Sequence, residues 1–163
     1  MVFITWANHT PVRTPETCLL LHFVRMNASL LPQVLSTICL DRVRFPLPPK
    51  DISLPPSGDV LLLFSAKETL VCMAYDGTVK HSFQSTQTHD VKKPVSVDGD
   101  ANGNAYIADV DGHKVHFITS DGKYGGELLA RKDGLREPLA LHWTDEGHIL
   151  VTQSNGDVKT FVI

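Results

Sequence analysis

Cysteine is scarce in this sequence, with three residues among 163. An odd count in a chain of this length argues against a secreted scaffold held by disulfides. A structural zinc site needs about four closely spaced Cys or His ligands per metal, and Cys18, Cys39 and Cys72 lack that spacing. We therefore expect ordinary core thiols, with no metal and no cofactor.

Long hydrophobic runs and an excess of positive charge are also missing. The longest uncharged stretch, residues 26–40, is short and partly polar, so it does not predict a membrane span. The N-terminus shows neither the basic region nor the cleavage site of a signal peptide. The net charge of −3 gives no whole-chain argument for nucleic-acid binding. We expect a cytoplasmic protein with no membrane partner.

Glycine is absent from the first 57 residues, which hold eight of the ten prolines. Charge changes along the chain as well: residues 1–48 carry more basic than acidic residues, whereas residues 49–163 are acidic overall. Prolines 46, 48 and 49 favour extended backbone at the change. These shifts predict a boundary that separates an N-terminal segment, 1–48, from residues 49–163.

The N-terminal segment predicts no definite structure. Residues 17–24 fit either a buried strand or the start of an apolar helix. Residues 33–40 fit a short helix, since Pro32 is tolerated where a helix begins. The segment is equally compatible with a leader that is foreign to the rest of the chain.

The second part of the chain repeats itself. Landmarks recur at spacings of 45 and 44 residues, and they are the prolines 49, 94 and 138 and the glycines 58, 103 and 147. Each proline opens a short apolar stretch, and each glycine stands in a polar turn before a second apolar stretch. This regularity predicts repeats at approximately 49–93, 94–137 and 138–163.

Four short strands with their turns need roughly 40–50 residues, which is one blade of a β-propeller. A helical solenoid would need a 3.6-residue periodicity and few glycines, and the sequence shows neither. The predicted fold is therefore all-β, a partial β-propeller of about 2.6 four-stranded blades. Because a closed ring needs about four to eight blades, we expect missing upstream blades or self-association to complete it.

The second repeat resembles an NHL repeat. The matching stretches are Pro94–Asp98, Asn102–Asp109, His113–Phe117 and Ser120–Lys123, while the first and third repeats match less closely. The blades most resemble the C-terminal propeller of tripartite-motif proteins. The resemblance implies a recognition module for proteins or RNA, linked in that family to ubiquitin ligation. Nothing in this chain corresponds to the domains that supply ligase activity.

The sequence favours a non-catalytic protein-interaction or scaffold module over an enzyme, because it contains no nucleophile elbow, phosphate-binding loop or dinucleotide fingerprint. Loops on a rigid scaffold would supply the contacts. The candidate binding residues are Lys92, Lys93, Asp111, His113, Arg131, Lys132 and Arg136. An RNA-binding face is the first alternative, and a fragment of a gluconolactonase-like propeller hydrolase is the second.

Two residue patterns resemble those of metal-binding sites. Asp98, Asp100, Asn102 and Asp109 have the spacing of a calcium loop, but strand signals flank them, so a hairpin turn explains the same residues. His113 and His116 are expected to point to opposite faces of one strand and cannot share an ion there.

Overall fold

The computed structural model describes residues 48–163 in full, and residues 2–7, 18–26 and 32–41 as backbone strands. The chain divides into two compact units, one of Met1–Pro48 with Tyr75–Gly77 and the other of Pro49–Ala74 with Thr78–Ile163. Among the described residues, no helix has the length and hydropathy that crossing a bilayer would require.

The first unit contains an antiparallel sheet of three strands in the order β1-β2-β3. The strands are β1 (Val2–Ala7), β2 (Cys18–Met26) and β3 (Pro32–Asp41). Of the ambiguous stretch 17–24, the structure describes residues 18–24, and they belong to strand β2. The short helix expected at 33–40 is wrong: this stretch is β3, which pairs with β2 along nearly its whole length. Its β-branched residues Val34, Thr37 and Ile38 favour extended backbone.

The second unit contains three antiparallel sheets, one for each predicted repeat. The first repeat sheet consists of β4 (Asp51–Ser53), β5 (Val60–Phe64), β6 (Thr69–Met73) and β7 (Val79–Gln84). The second consists of β8 (Pro94–Gly99), β9 (Ala105–Asp109), β10 (Lys114–Ile118) and β11 (Tyr124–Leu129). The third has three strands, β12 (Pro138–Trp143), β13 (His148–Gln153) and β14 (Val158–Val162). In each sheet neighbouring strands follow one another along the chain.

Apolar side chains hold the three repeat sheets face to face. One buried cluster joins the first and second sheets through residues such as Leu61, Leu63 and Ile107. A second cluster joins the second and third sheets through Tyr106, Ile149 and others. All residues of β5 and β9 are buried. In β13 burial alternates instead.

The first strand of each sheet lies beside the first strand of the next. β8 packs against both β4 and β12. The backbone N–H of Val97 donates to Asp51 Oδ2 at 2.8 Å, and the N–H of Leu141 donates to Ser96 Oγ at 3.3 Å. Asp51 and Ser96 are 45 residues apart, so the same bridge recurs once per repeat.

Candidate functional site

All seven predicted binding residues lie at one end of the repeat sheets. Lys92 and Lys93 precede β8, and Arg131, Lys132 and Arg136 lie in the connection from β11 to β12. Asp111 and His113 belong to the turn between β9 and β10. In an antiparallel sheet that turn and the start of β8 share one end. We call this group of seven residues the connection face.

Buried Asp109, at the end of β9, fixes the backbone of this face. Its carboxylate accepts the N–H groups of Lys92 at 3.0 Å, Lys93 at 2.9 Å and Gly112 at 3.1 Å. Burial raises the pKa of the Asp109 carboxyl, but the hydrogen bonds from His116 and these backbone groups outweigh it and lower the pKa to about 2. Asp109 therefore remains ionised and holds the lysine-bearing segment in place.

Two further contacts fix the face beside the third sheet. Gln153 Oε1 accepts the Arg136 N–H at 2.5 Å. His113 Nδ1 accepts the Glu137 N–H at 3.0 Å, which ties the turn of the second sheet to the connection that leads into the third. His113 has a φ of 56° and stands before β10, not on it as the sequence suggested.

The side chains of the connection face are mostly exposed, and His113 is half-buried. Lys93 forms an ion pair with Asp111 at 3.5 Å. Within residues 48–163, the side chains of Lys92, Arg131, Lys132 and Arg136 form no ion pair. These cations lie among acidic residues of the same connections, namely Asp90, Asp133 and Glu137.

A buried polar chain beneath the face was not foreseen from the sequence. His116 and Asp109 are both inaccessible to solvent, and His116 Nε2 lies 3.2 Å from Asp109 Oδ2. Since the ionised carboxylate only accepts, Nε2 donates to it. The other ring nitrogen, Nδ1, lies 3.0 Å from the Tyr124 hydroxyl. Burial raises the pKa of the Tyr124 phenol. The alternation of side chains along a strand places Val115 and Phe117 on one face of β10 and His116 on the other. It does not indicate that His116 contacts a carboxylate of the adjacent strand, β9.

The opposite end of the sheets carries a cleft of about 510 Å³, which sequence reasoning also missed. Asp98, at the end of β8, forms part of its lining together with Leu54, His142, Trp143 and Glu146. Asp98 accepts the Trp143 N–H at 2.9 Å, and His142 Nδ1 lies 2.9 Å from the same carboxylate oxygen. The Ser53 hydroxyl also donates to Asp98. One buried carboxylate thus joins all three repeat sheets.

The predicted hairpin turn after β8 is confirmed. Asp100 Oδ1 accepts the N–H groups of Asn102 and Asn104, both at 2.9 Å, and its other oxygen accepts the Tyr106 hydroxyl at 3.0 Å. These bonds turn the chain from β8 into β9. In the part of the chain that the structure describes, no group of three or more His, Cys, Asp or Glu side chains is arranged to hold a metal ion.

Comparison with known proteins identifies the architecture. A streptogramin B lyase structure aligns with 99% of this chain at a TM-score of 0.55 and 10% identity. A virginiamycin B lyase from Staphylococcus aureus aligns with 93% at a TM-score of 0.50 and 13% identity. A catalytically inactive variant of that lyase with quinupristin aligns with 100% at 0.50 and 14%. The fold is a β-propeller. The repeat sheets are its blades, and the chain spans 54–60% of the length of these structures.

At 10–14% identity the likeness shows the propeller fold alone. No protein-family model matches the chain, and no curated protein matches it either. The propeller predicted from the repeats is confirmed, whereas the finer resemblance to tripartite-motif proteins stays a prediction. In the propeller, the connection face and the cleft lie at opposite ends of the blades.

Proposed function

We propose that this chain is a non-catalytic protein-interaction module of a tripartite-motif-like protein, and that it contacts its partner through the connection face. The observation that carries the proposal is the combination of exposed, unpaired cations with a fixed backbone. Lys92, Arg131, Lys132 and Arg136 present charges that no carboxylate of residues 48–163 neutralises. Asp109 and Gln153 hold the segments that bear Lys92 and Arg136.

A fixed backbone lowers the entropic cost of binding, because the loops need no ordering when the partner arrives. Alternating charge favours a protein partner with its own mixed charges over a nucleic acid, whose phosphates would be repelled by Asp90, Asp133 and Glu137. The same face accommodates RNA only if these carboxylates stay outside the contact. We propose a cytoplasmic location, where such a module would meet its partner.

The proposal is tested by quantitative affinity capture with three forms of the full chain. The first is wild type, and the second is Arg131→Glu/Lys132→Glu. The third is Lys123→Glu, a control whose side chain is exposed at the other end of the blades and pairs only with Asp121. We expect a protein that is captured by wild type and by the control, and whose purified form binds the double variant about tenfold or more weakly.

Three outcomes would overturn the proposal. If the same proteins are captured by all three forms, the connection face is not the contact surface. If ribonuclease abolishes capture and the purified chain binds single-stranded RNA with a steep salt dependence, the face binds RNA instead. Chelator-sensitive turnover of lactones would establish the hydrolase alternative.

A further inference from the structure

The cleft at the other end of the blades differs chemically from the connection face. The loops that follow the first strand of each blade, residues 54–59, 100–104 and 144–147, contain four acidic residues and neither lysine nor arginine. Two of these acids, Asp145 and Glu146, line the cleft and are exposed. The half-buried His148 lies close to one of them, with its Nδ1 3.9 Å from Glu146.

The lining of the cleft contains neither lysine nor arginine. Asp98 is 8% exposed, and its oxygens are occupied by donors from all three blades. His142 orients Nδ1 toward Asp98 and is otherwise largely exposed. The carboxylates of the cleft that remain exposed are those of Asp145 and Glu146, and they are acceptors.

Apart from Thr144, the rest of the lining is apolar. Trp143 stacks on Tyr106 with ring centroids 4.9 Å apart and an angle of 3° between the rings. Leu54, Pro55 and Pro56 complete the apolar part of the lining. An indole held in this way offers a surface for a cation or for the methylene stem of a long side chain. The volume of about 510 Å³ lies within the range of sites that take a few side chains.

We propose that this acidic cleft binds an extended peptide segment that carries arginine or lysine. The cationic head pairs with Asp145 and Glu146, and the methylene stem packs on Trp143 and the proline wall. This assignment is independent of the connection face, because the two surfaces have opposite charge and lie at opposite ends of the blades. Charge complementarity excludes an acidic peptide or a nucleic acid as the occupant of this cleft.

The test uses two synthetic peptides with a fluorescent label, acetyl-Gly-Pro-Arg-Arg-Gly-amide and its counterpart with citrulline in place of both arginines. Citrulline keeps the shape of arginine but carries no charge. The full chain is titrated with each peptide by fluorescence anisotropy at about 0.15 M salt, where long-range attraction is screened. We expect the arginine peptide to bind the wild type about tenfold or more tightly than the citrulline peptide.

Three variants locate the site. Asp145→Asn/Glu146→Gln should weaken the arginine peptide about tenfold, whereas the charge-matched control Asp90→Asn/Asp157→Asn should leave its Kd unchanged within about twofold. Arg131→Glu/Lys132→Glu should also retain the peptide, which separates this site from the proposed function. Equal binding of both peptides, equal loss in the control, or no binding by the wild type at millimolar peptide would overturn the assignment.

Discussion

Asp109 and Gln153, 44 residues apart, have the same structural role in neighbouring blades. Each ends the second strand of its blade, each is buried, and each accepts the backbone N–H of the residue two places before the first strand. A buried acceptor at this position therefore anchors the connection that enters the blade. In the first blade the position is occupied by Phe64, so that blade lacks the same side-chain acceptor.

Replacing Asp109 by asparagine should destabilise the fold strongly. Both carboxylate oxygens of Asp109 accept hydrogen bonds, whereas the asparagine amide has only one acceptor oxygen. Its NH₂ group would face N–H donors, so at least one buried donor loses its acceptor. We expect the free energy of unfolding to fall by about 3 kcal/mol, measured by urea denaturation at pH 7.

The matched control is Asp111→Asn, two residues further along the chain. Asp111 is exposed and pairs only with Lys93, so its loss should change the free energy of unfolding by less than about 0.5 kcal/mol. Similar effects of the two substitutions would contradict the anchoring role of Asp109.

Stability should fall as the solution becomes acidic, and Asp109 should account for a defined part of the loss. Its pKa is about 2 in the folded chain, below the ordinary value of 3.8. A lowered folded pKa contributes stability above the unfolded pKa, and this contribution disappears as the pH falls from about 4 to 2. The expected loss is about 2 kcal/mol.

Urea titrations of wild type and Asp109→Asn at several pH values check this expectation. The difference in unfolding free energy between them should shrink below pH 4, because protonation removes the advantage of the wild-type carboxylate. Asp121 also has a lowered pKa, through its bond with Lys123, but it is exposed and screened by solvent. A difference that stays constant down to pH 2 would rule out ionised Asp109 as the cause.

Glycine at position 122 is required by a neighbour as well as by its backbone. Its φ is +82°, and a Cβ added there would lie 2.8 Å from the His81 ring. Gly156 has a similar φ of +88° with open space around the added atom. In both alanine variants the positive φ should lower the free energy of unfolding by about 1 kcal/mol. Gly122→Ala should have the lower melting temperature of the two, because the His81 side chain must also move. Equal melting temperatures in a thermal scan would show that His81 yields without cost.

Cys72 should be unreactive in the folded chain. The thiol is fully buried, and burial together with the charge of Asp59 raises its pKa to about 11. The thiolate fraction near pH 8 is then about a hundredfold below that of an ordinary cysteine. In a Cys18→Ser/Cys39→Ser background, labelling by a thiol-reactive disulfide reagent should be at least that much slower without urea than with it. Rapid labelling of the native chain would contradict the burial of Cys72.

The blade pattern could be predicted from the sequence because it depends on short-range features. The prolines that open each repeat and the glycines of the first turns carry the period. Gly58, Gly103 and Gly147 all adopt positive φ between 80° and 83°, which is the conformation that glycine adopts without strain. The unbroken apolar run at Val60–Phe64 forms a strand that is buried on both faces.

Other predictions depended on partners that are distant along the chain. The stretch at 33–40 has weak local preference, and its pairing with β2 makes it a strand. In the third blade, the β13 run is apolar but only alternately buried, because within the second unit no further sheet covers its other face. The local sequence of a strand does not indicate whether another sheet packs against each of its faces.

The spacing of the prolines and glycines was sufficient to predict the number of repeats, the strand and turn positions within them, and a common end of the blades for the cationic connections. Which polar side chains meet depends on the tertiary structure. Asp98 receives Ser53 from one blade and His142 from another, across 45 and 44 residues, and His116 finds Asp109 on the adjacent strand. Strand periodicity fixes the face toward which a side chain points, whereas its partner depends on how the sheets pack.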